Sequence, residues 1–450
     1  MKDLRERLAA QGVHTLLAQF TDIHGVAKGK LVPLAHLDDV LAIGAGFSGP
    51  SIWGTGLPRT GPRAEYMARG NASTAMALPW MPGVARIVCD GFVAGEPFDA
   101  CPRQVAKRAV ARLAEHQGSL RVGIEPEFFL LKHEAGRWLP ADDTDRLVKP
   151  SYDLKSLPRQ MPFLGELHAA LQACGLDVLQ LDHEDAHGQY EVNFGHADAL
   201  VSADNLMLFK LAAQAIAERH GMVFSMMPKP FANQAGSGMH LHVSLWQGQR
   251  GDVRNAFTPH QRDGALDTSR TLSPVGRHFV GGLLAHAGAL TALAAPTVNS
   301  YKRLTVGESI SGSTWAPAYV AQGPNNRSAL VRTLPGRFEW RAPDASANPY
   351  LVLAGLIAAG LDGIERELDP GPDCEDDLFE LSLAQIRERG IALLPQTLGE
   401  ALDALEADAT VCGALGDTLT REFLALKRDE HTAYSRHVSD WELQRYAAAF

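Results

Sequence analysis

Four short stretches of this 450-residue chain set charged or imidazole side chains two residues apart between apolar neighbours. Arg121-Val-Gly-Ile-Glu-Pro-Glu-Phe-Phe-Leu-Leu131 carries Glu125 and Glu127, and Asp182-His-Glu-Asp-Ala-His-Gly-Gln-Tyr-Glu-Val-Asn-Phe194 adds Glu184 and Glu191 on either side of a turn at Gly188. Gln234-Ala-Gly-Ser-Gly-Met-His-Leu-His-Val-Ser-Leu-Trp246 carries His240, His242 and Ser244, and Gly336-Arg-Phe-Glu-Trp-Arg-Ala342 carries Arg337, Glu339 and Arg341. A strand has a side-chain period of two, so each stretch turns its polar set to one face and its apolar set to the other. Taken singly, each has a plain reading: a solvated acidic pair, satisfied histidines, or a cross-strand salt-bridge face. Together they predict a shared concave polar surface on a packed sheet. Adjacent buried carboxylates repel one another and lose hydration unless cations lie between them. Carboxylates with a minority of imidazole suit Mg²⁺ or Mn²⁺, and two such ions beside arginines form an apparatus for phosphoryl transfer. No GxxxxGK[ST] stretch occurs, and the lone GxGxxG match, Gly44-Ala-Gly-Phe-Ser-Gly49, runs into Pro50 in the β-rich part of the chain and not into a helical pattern, so a nucleotide has to be held by something other than a P-loop or a dinucleotide fingerprint.

The elements that position these residues follow from periodicity and turn chemistry. Residues 1–100 hold short β-like runs, such as 15–20 and 85–89, separated by Gly- and Pro-rich turns, and predict a small β-rich domain. From Cys101 onward helical and strand patterns alternate. Helices are predicted near 103–117, 159–174, 203–220, 274–294 and 346–368, strands near 121–131, 188–194 and 238–246, and helical character from Thr397 to Phe450. Residues 101–450 thus read as one large α+β domain. The stretch 305–324 reads as a long loop, and long ordered loops in compact domains often carry function.

Bulk properties narrow the class. A formal net charge of −10, with no run of Lys or Arg longer than adjacent pairs such as Lys107-Arg108, argues against a nucleic-acid partner. Five scattered cysteines without a C-x-x-C pair argue against a disulfide framework or zinc ribbon and fit a reducing cytoplasm. The N-terminal residues are too charged for a signal peptide, and the apolar run Leu351 to Leu361 is too short for a bilayer; no membrane partner is expected.

An ordered set of motifs resembles the glutamine synthetase family: Glu125-Pro-Glu127, Gln189-Tyr-Glu191, Lys229-Pro-Phe, Gly236-Ser-Gly-Met-His240, Asn299-Ser-Tyr-Lys-Arg303, Asn326-Arg-Ser-Ala-Leu-Val-Arg332 and Arg337-Phe-Glu-Trp-Arg341. Phe20-Thr-Asp22 and Asp440-Trp-Glu-Leu-Gln-Arg-Tyr446 extend the likeness to nearly the whole chain. The resemblance implies an α+β fold with an N-terminal β-grasp domain (1–100) and a C-terminal catalytic domain (101–450) whose curved antiparallel sheet forms a funnel. It also implies a homododecamer of two stacked hexamers with each site shared between neighbours. Glu125, His240 and Glu339 would bind one Mg²⁺ or Mn²⁺, and Glu127, Glu184 and Glu191 the other. Glutamate would lie against Glu127, Gly236, His240, Arg303 and Arg341, with Gly236 giving its backbone room. ATP would lie toward His242, Ser244, Arg327, Arg332 and Arg337, with Arg327 assisting phosphoryl transfer. The implied chemistry is ATP-dependent formation of γ-glutamyl phosphate followed by displacement of phosphate by an amine.

Four departures from the family pattern bear on the substrate and its control. Ser48, in Gly46-Phe-Ser-Gly-Pro-Ser-Ile52, stands where the family carries the aspartate that attracts ammonium. Ala235 replaces an asparagine, leaving one polar contact to glutamate missing or supplied by Gln234. The loop from Arg303 to Arg327 is longer than usual: aligned from its left end it offers Glu308 as the acid that closes over the site, and aligned from its right end Trp315 takes that place. Phe379 replaces the tyrosine that is adenylylated in bacterial relatives. The lost carboxylate and rebuilt loop imply methylamine, or another small alkylamine, in place of ammonia. With Leu17 to Ala27 and Ile52-Trp-Gly54, the pattern is most similar to the methylamine-using branch of the family.

Overall fold

A computed structural model describes residues 2–116, 118–248, 253–259, 261–262, 265–266, 271–307 and 315–450. Its two principal sheets are drawn from separate stretches of chain. The first uses strands between Thr15 and Pro97. Thr15–Thr21 pairs antiparallel with Ala27–Pro33 and parallel with Val84–Val93, whose other side receives Glu65–Gly70 and, beyond it, Ala45–Ser48. One face of Thr15–Thr21 is fully apolar, and Leu16, Ala18 and Phe20 are buried under it.

The second sheet runs in the order Val178–His183, Gln189–Phe194, Gly118–Glu134, Met239–Gln247, Arg337–Trp340, Val331–Leu334, Gln322–Pro324. All of these neighbours are antiparallel except the last pair, which is parallel. Gly118–Glu134 is the central strand, 17 residues long, and curves past five other strands. The alternation expected of the His-x-His strand is present: Met239, Leu241, Val243 and Leu245 are buried against the core.

Helices Pro102–Glu115 and Ala199–Arg219 cover the apolar face of this sheet, and Pro349–Glu365 packs against both of them. Ala199–Arg219 is apolar and long enough to cross a membrane by length and composition alone, yet most of its apolar window is buried in the protein, where Leu206, Phe209 and Ile216 form core. Pro349–Glu365 holds the apolar run seen in the sequence and is buried almost throughout. The helix expected over 274–294 is two helices, Pro274–Ala285 and Ala287–Ala294, joined at His286. His286 hydrogen-bonds Asp408 at 2.6 Å and Asp362 at 3.0 Å, tying the junction to two other elements.

One continuous core spans both sheets. A buried polar knot fastens them: Arg103 bonds Asp90 at 2.5 Å and both oxygens of Asp204 at 2.9 and 2.8 Å, while the Tyr350 hydroxyl donates to Asp204 at 2.7 Å. Removing one partner from such a knot leaves a buried charge uncompensated, a cost of about 3–5 kcal/mol. The polar face of the second sheet is therefore carried on a stiff support.

Candidate active site

Cross-strand register gathers the charged residues. Asp182 pairs with Glu191, and Glu191 with Glu127, across three adjacent strands. His240 pairs with Glu125, and His242 with Glu339, which pairs in turn with Arg332. Paired residues on one face have Cβ atoms about 4.5–5.5 Å apart, so side chains as distant in sequence as Glu125 and Glu339 meet in one cleft. Gly188, at φ +70°, makes the turn between Glu184 and Glu191 that the sequence predicted. The cleft has a volume of about 540 Å³.

At one end of the cleft the carboxylates crowd. Burial pushes Glu127 up to about 7, with Arg303 opposing. Burial and then Glu127 hold Glu184 and Glu191 well above the usual carboxylate range, and burial with Glu125 takes Asp182 up to about 6. Ligand-capable atoms lie within 4.8 Å of one another in three groups: Glu125, His240 and Glu339; Glu127, Glu191 and His240; Asp182, Glu184 and Glu191. The first group is the set expected for one cation. The second expected set is spread over the other two groups: Glu127 and Glu184 fall in different groups that share Glu191, and Asp182 lies with Glu184 and Glu191.

A divalent cation fits this end on the structure's own terms. The His240 imidazole is buried, which holds it well below its ordinary value, so it is neutral; its Nε2 has no hydrogen-bond partner among the described residues. Carboxylate oxygens surround a bare imidazole nitrogen, the donor set that suits Mg²⁺ or Mn²⁺. Gly238 keeps the space open. A Cβ there would come within 2.9 Å of Glu127 Oε1 and His240 Nε2 and 2.8 Å of Arg303 Nη2. The Gly238 amide itself donates to Glu127 Oε2 at 2.8 Å, and Gln189 Nε2 donates to the same oxygen at 3.0 Å.

The other end is cationic. Glu339 accepts from Arg332 at 2.8 Å and from Arg341. Burial alone would raise this carboxyl; Arg341, the two imidazoles and Arg332 outweigh it and bring it down to about 2. Arg337 Nε donates to His242 Nδ1 at 3.3 Å, and His242 Nε2 lies 3.1 Å from Glu125. His242 thereby links the arginines to the first cation group. Arg303 is buried, with its guanidinium donating to the carbonyls of Ala342 at 3.0 Å and Arg341 at 3.3 Å. Arg327 is exposed at the cleft edge and makes no hydrogen bond or ion pair with a described residue.

Of the residues singled out for glutamate, Glu127, Gly236, His240, Arg303 and Arg341 all line the cleft, as do His242, Arg327, Arg332 and Arg337 among those singled out for ATP. Ser244 does not: its hydroxyl accepts from Trp246 Nε1 at 2.9 Å, beyond the cleft. Gly236 meets its steric limit on the far side, where a Cβ would lie 2.5 Å from the Pro228 carbonyl. Gln234 does not replace the missing asparagine, since its side-chain oxygen accepts from the His187 amide at 2.8 Å while Ala235 lines the cleft. Ser48 is exposed and outside the cleft of its own chain, where its hydroxyl accepts from Ser51 at 3.1 Å. Glu308 lies outside the described residues. Trp315 lines the cleft, with its indole on Asp185 and its carbonyl accepting from Arg341 at 2.9 Å.

The sequence motifs assign no role to Gln189, Asn193 or Lys229, all of which line the cleft. The first two flank Glu191 at period two in Gln189-Tyr-Glu-Val-Asn193, and Asn193 donates to Glu191 at 2.9 Å. The Lys229 backbone is held by Asn299 through two bonds of 2.7 and 3.0 Å, which places its side chain at the cleft wall.

This charge-divided cleft on a curved sheet defines a family. Residues 99–446 match the glutamine synthetase catalytic domain, and the chain belongs to the glutamine synthetase family. Among its relatives, the glutamate–methylamine ligase of Methyloversatilis universalis is 47% identical over 449 residues, covering 100% of this chain and 99% of the relative. The glutamine synthetase of Rhizobium meliloti is 37% identical, covering 98% of each chain. A solved GmaS/ADP complex, conformation 1, superposes with a TM-score of 0.90 at 38% identity, covering 99% of this chain and 100% of that one.

Proposed function

We propose that this enzyme is an ATP-dependent C–N ligase that joins the γ-carboxylate of glutamate to methylamine, or another small alkylamine, giving the γ-glutamyl alkylamide, ADP and phosphate. The observation that carries the reading is the end-to-end 47% identity to a glutamate–methylamine ligase, against 37% to the glutamine synthetase above.

In this reading Glu125, His240 and Glu339 hold one divalent cation and Glu127, Glu184 and Glu191, with Asp182, hold the other. Bound cations would supply charge neutralisation between ATP and the glutamate carboxylate. The remaining work belongs to the chain. Arg303 and Arg341 receive the substrate carboxylate, a task suited to the guanidinium fork. Arg327, Arg332 and Arg337 neutralise the phosphates as a γ-carboxylate oxygen bonds to the terminal phosphorus and ADP departs. The amine nitrogen then bonds to the acyl carbon, phosphate leaves with the C–O electron pair, and the ammonium proton must pass to a base. Glu308 is the candidate for that base.

Ser48 bears on which amine is used. A hydroxymethyl group in place of a carboxylate opens room of about methyl size, and filling it favours methylamine by roughly 1–3 kcal/mol, or 10- to 200-fold in kcat/KM. Because Ser48 and the exposed Trp53 (62% exposed) stand outside their own cleft, the reading has this segment close the cleft of a neighbouring copy. It includes a dodecamer of two stacked hexamers, the division at residues 1–100 and 101–450, and a reducing cytoplasm in keeping with five unpaired cysteines. Phosphate release measured across an amine panel, with ATP, glutamate and Mg²⁺ saturating, tests the reading. Methylamine is expected to exceed ammonia in kcat/KM; equality, or a preference for ammonia, assigns the enzyme to ordinary glutamine synthesis.

A further inference from the structure

A second cavity, of about 690 Å³, shares no lining residue with the catalytic cleft. It opens between the turn at residues 23–27, one face of helix Ala199–Arg219, and helix Asp417–Ser435. Met207, Lys210, Leu211 and Gln214 stand at i, i+3, i+4 and i+7, so one helical face supplies a wall. Leu211, Phe224, Leu293 and Phe423 make much of the rest apolar.

The charges in it are not balanced. Lys427 pairs with Glu430 at 2.9 Å, and the other oxygen of Glu430 accepts from the Val298 amide at 3.0 Å, so that pair is internally satisfied. His24 is held below its ordinary value by burial and then by Lys427, which makes it neutral. Lys210 makes no hydrogen bond or ion pair with a described residue. Burial pushes it down to about 8 against the opposing pull of Asp344, whose Oδ1 already accepts from Ser346. Asp344 Oδ2, buried without a hydrogen bond, pulls on Lys210 from outside the lining but does not hydrogen-bond its amine, and a cation half-enclosed by apolar walls in that state carries an electrostatic cost that an anion in the cavity would reduce.

We infer that this cavity is a second ligand site for a small monocarboxylate with an apolar body, its carboxylate on the Lys210 amine and its body against Leu211, Phe224, Leu293 and Phe423. One uncompensated cation among the described lining residues sets the charge at one. The apolar walls set the body. The site is also wired to the catalytic cleft. Pro228 and Asn299 line it, their neighbour Lys229 lines the cleft, and Asn299 bonds the Lys229 backbone from both ends. Occupancy therefore changes the KM for glutamate more than kcat.

The test is isothermal titration of the full chain with hexanoate, 4-phenylbutyrate and indole-3-propionate. Saturating glutamate, Mg²⁺ and a non-hydrolysable ATP analogue keep the cleft filled, so the outcome does not depend on the amine the enzyme uses. At least one acid is expected to bind below about 1 mM, and Lys210→Met to weaken it about tenfold or more, the loss of one charge-assisted contact. Gln214→Glu gives Lys210 an internal partner and is expected to abolish binding even if Lys210→Met is poorly folded. The neutral 4-phenylbutanamide should bind more weakly than the acid and equally to wild type and variants. No binding by any of the three acids overturns the inference, as does equal binding to wild type and both variants, or amide binding as tight as that of the acid.

Discussion

The two ends of the catalytic cleft contain the same residue type in opposite states. Glu127 is pushed up to about 7, whereas Glu339 is brought down to about 2, and His240 contacts the ligand groups of both. Both are buried, so burial does not separate them. Their neighbours do: Glu127 faces Glu184 and Glu191 with Arg303 as its main counter-charge, and Glu339 is gripped by Arg332 and Arg341. The acidic end is electrostatically incomplete until cations arrive, and the arginine end is complete within the protein and offers its remaining guanidinium donors to anions. A site that must bring ATP and a carboxylate together needs both.

The contrast can be broken from either side. The largest effect is expected at the acidic end. Glu127→Gln keeps shape but removes the charge between two cation groups, and turnover should fall by roughly 100- to 1000-fold with the fold intact by circular dichroism. At the arginine end, Arg341→Lys retains a cation but loses the fork that holds Glu339 and the Trp315 carbonyl, and the glutamate KM should rise about 10-fold or more while nucleotide affinity changes less. Gly238→Ala tests the gap between the two ends. Its Cβ meets Glu127, His240 and Arg303 together, so Mg²⁺ affinity should drop by about 10-fold, as for a displaced ligand shell.

Stability should respond to pH in opposite directions at the two ends. Glu127, Glu184, Glu191 and Asp182 have raised folded values, so the stability they contribute is present at low pH and lost as pH rises through those values. Glu339 is depressed, so its contribution is present at neutral pH and lost as pH falls toward about 2. The Tm in EDTA should therefore fall between pH 6 and pH 8, and Mg²⁺ should restore more of the Tm at pH 8 than at pH 6. A Mg²⁺ effect that is flat with pH would contradict the incomplete acidic end. The smallest effect is expected from Ser244→Ala, less than about twofold in the KM for ATP, because that hydroxyl serves Trp246 and not the cleft.

Much of this architecture is legible in the sequence because strand period and cross-strand pairing act locally and strongly. The alternation in Met239–Gln247 and around Glu125 reports which side chains share a face, and the family motifs carry the order of the strands. What alternation does not report is where a polar face stops being cleft. Ser244 lies four residues beyond His240, about 13 Å along the strand, past the cleft edge. Charge also drew attention away from Gln189 and Asn193, neutral amides that orient Glu127 and Glu191. The position of Asp182 was readable from its spacing to Glu184, yet its role emerges only when Glu191 is seen between them. Ser48 is readable as a departure from the family, and its place outside the cleft of its own chain accords with the shared sites that the resemblance implies, although no local pattern encodes it.

The account rests on divalent cations occupying the acidic end, and Mn²⁺ anomalous scattering from crystals grown with a non-hydrolysable ATP analogue tests it most directly. Two peaks are expected, one ligated by Glu125, His240 and Glu339, the other among Glu127, Glu184, Glu191 and Asp182. Anomalous density absent from both groups, with the nucleotide bound, would contradict it.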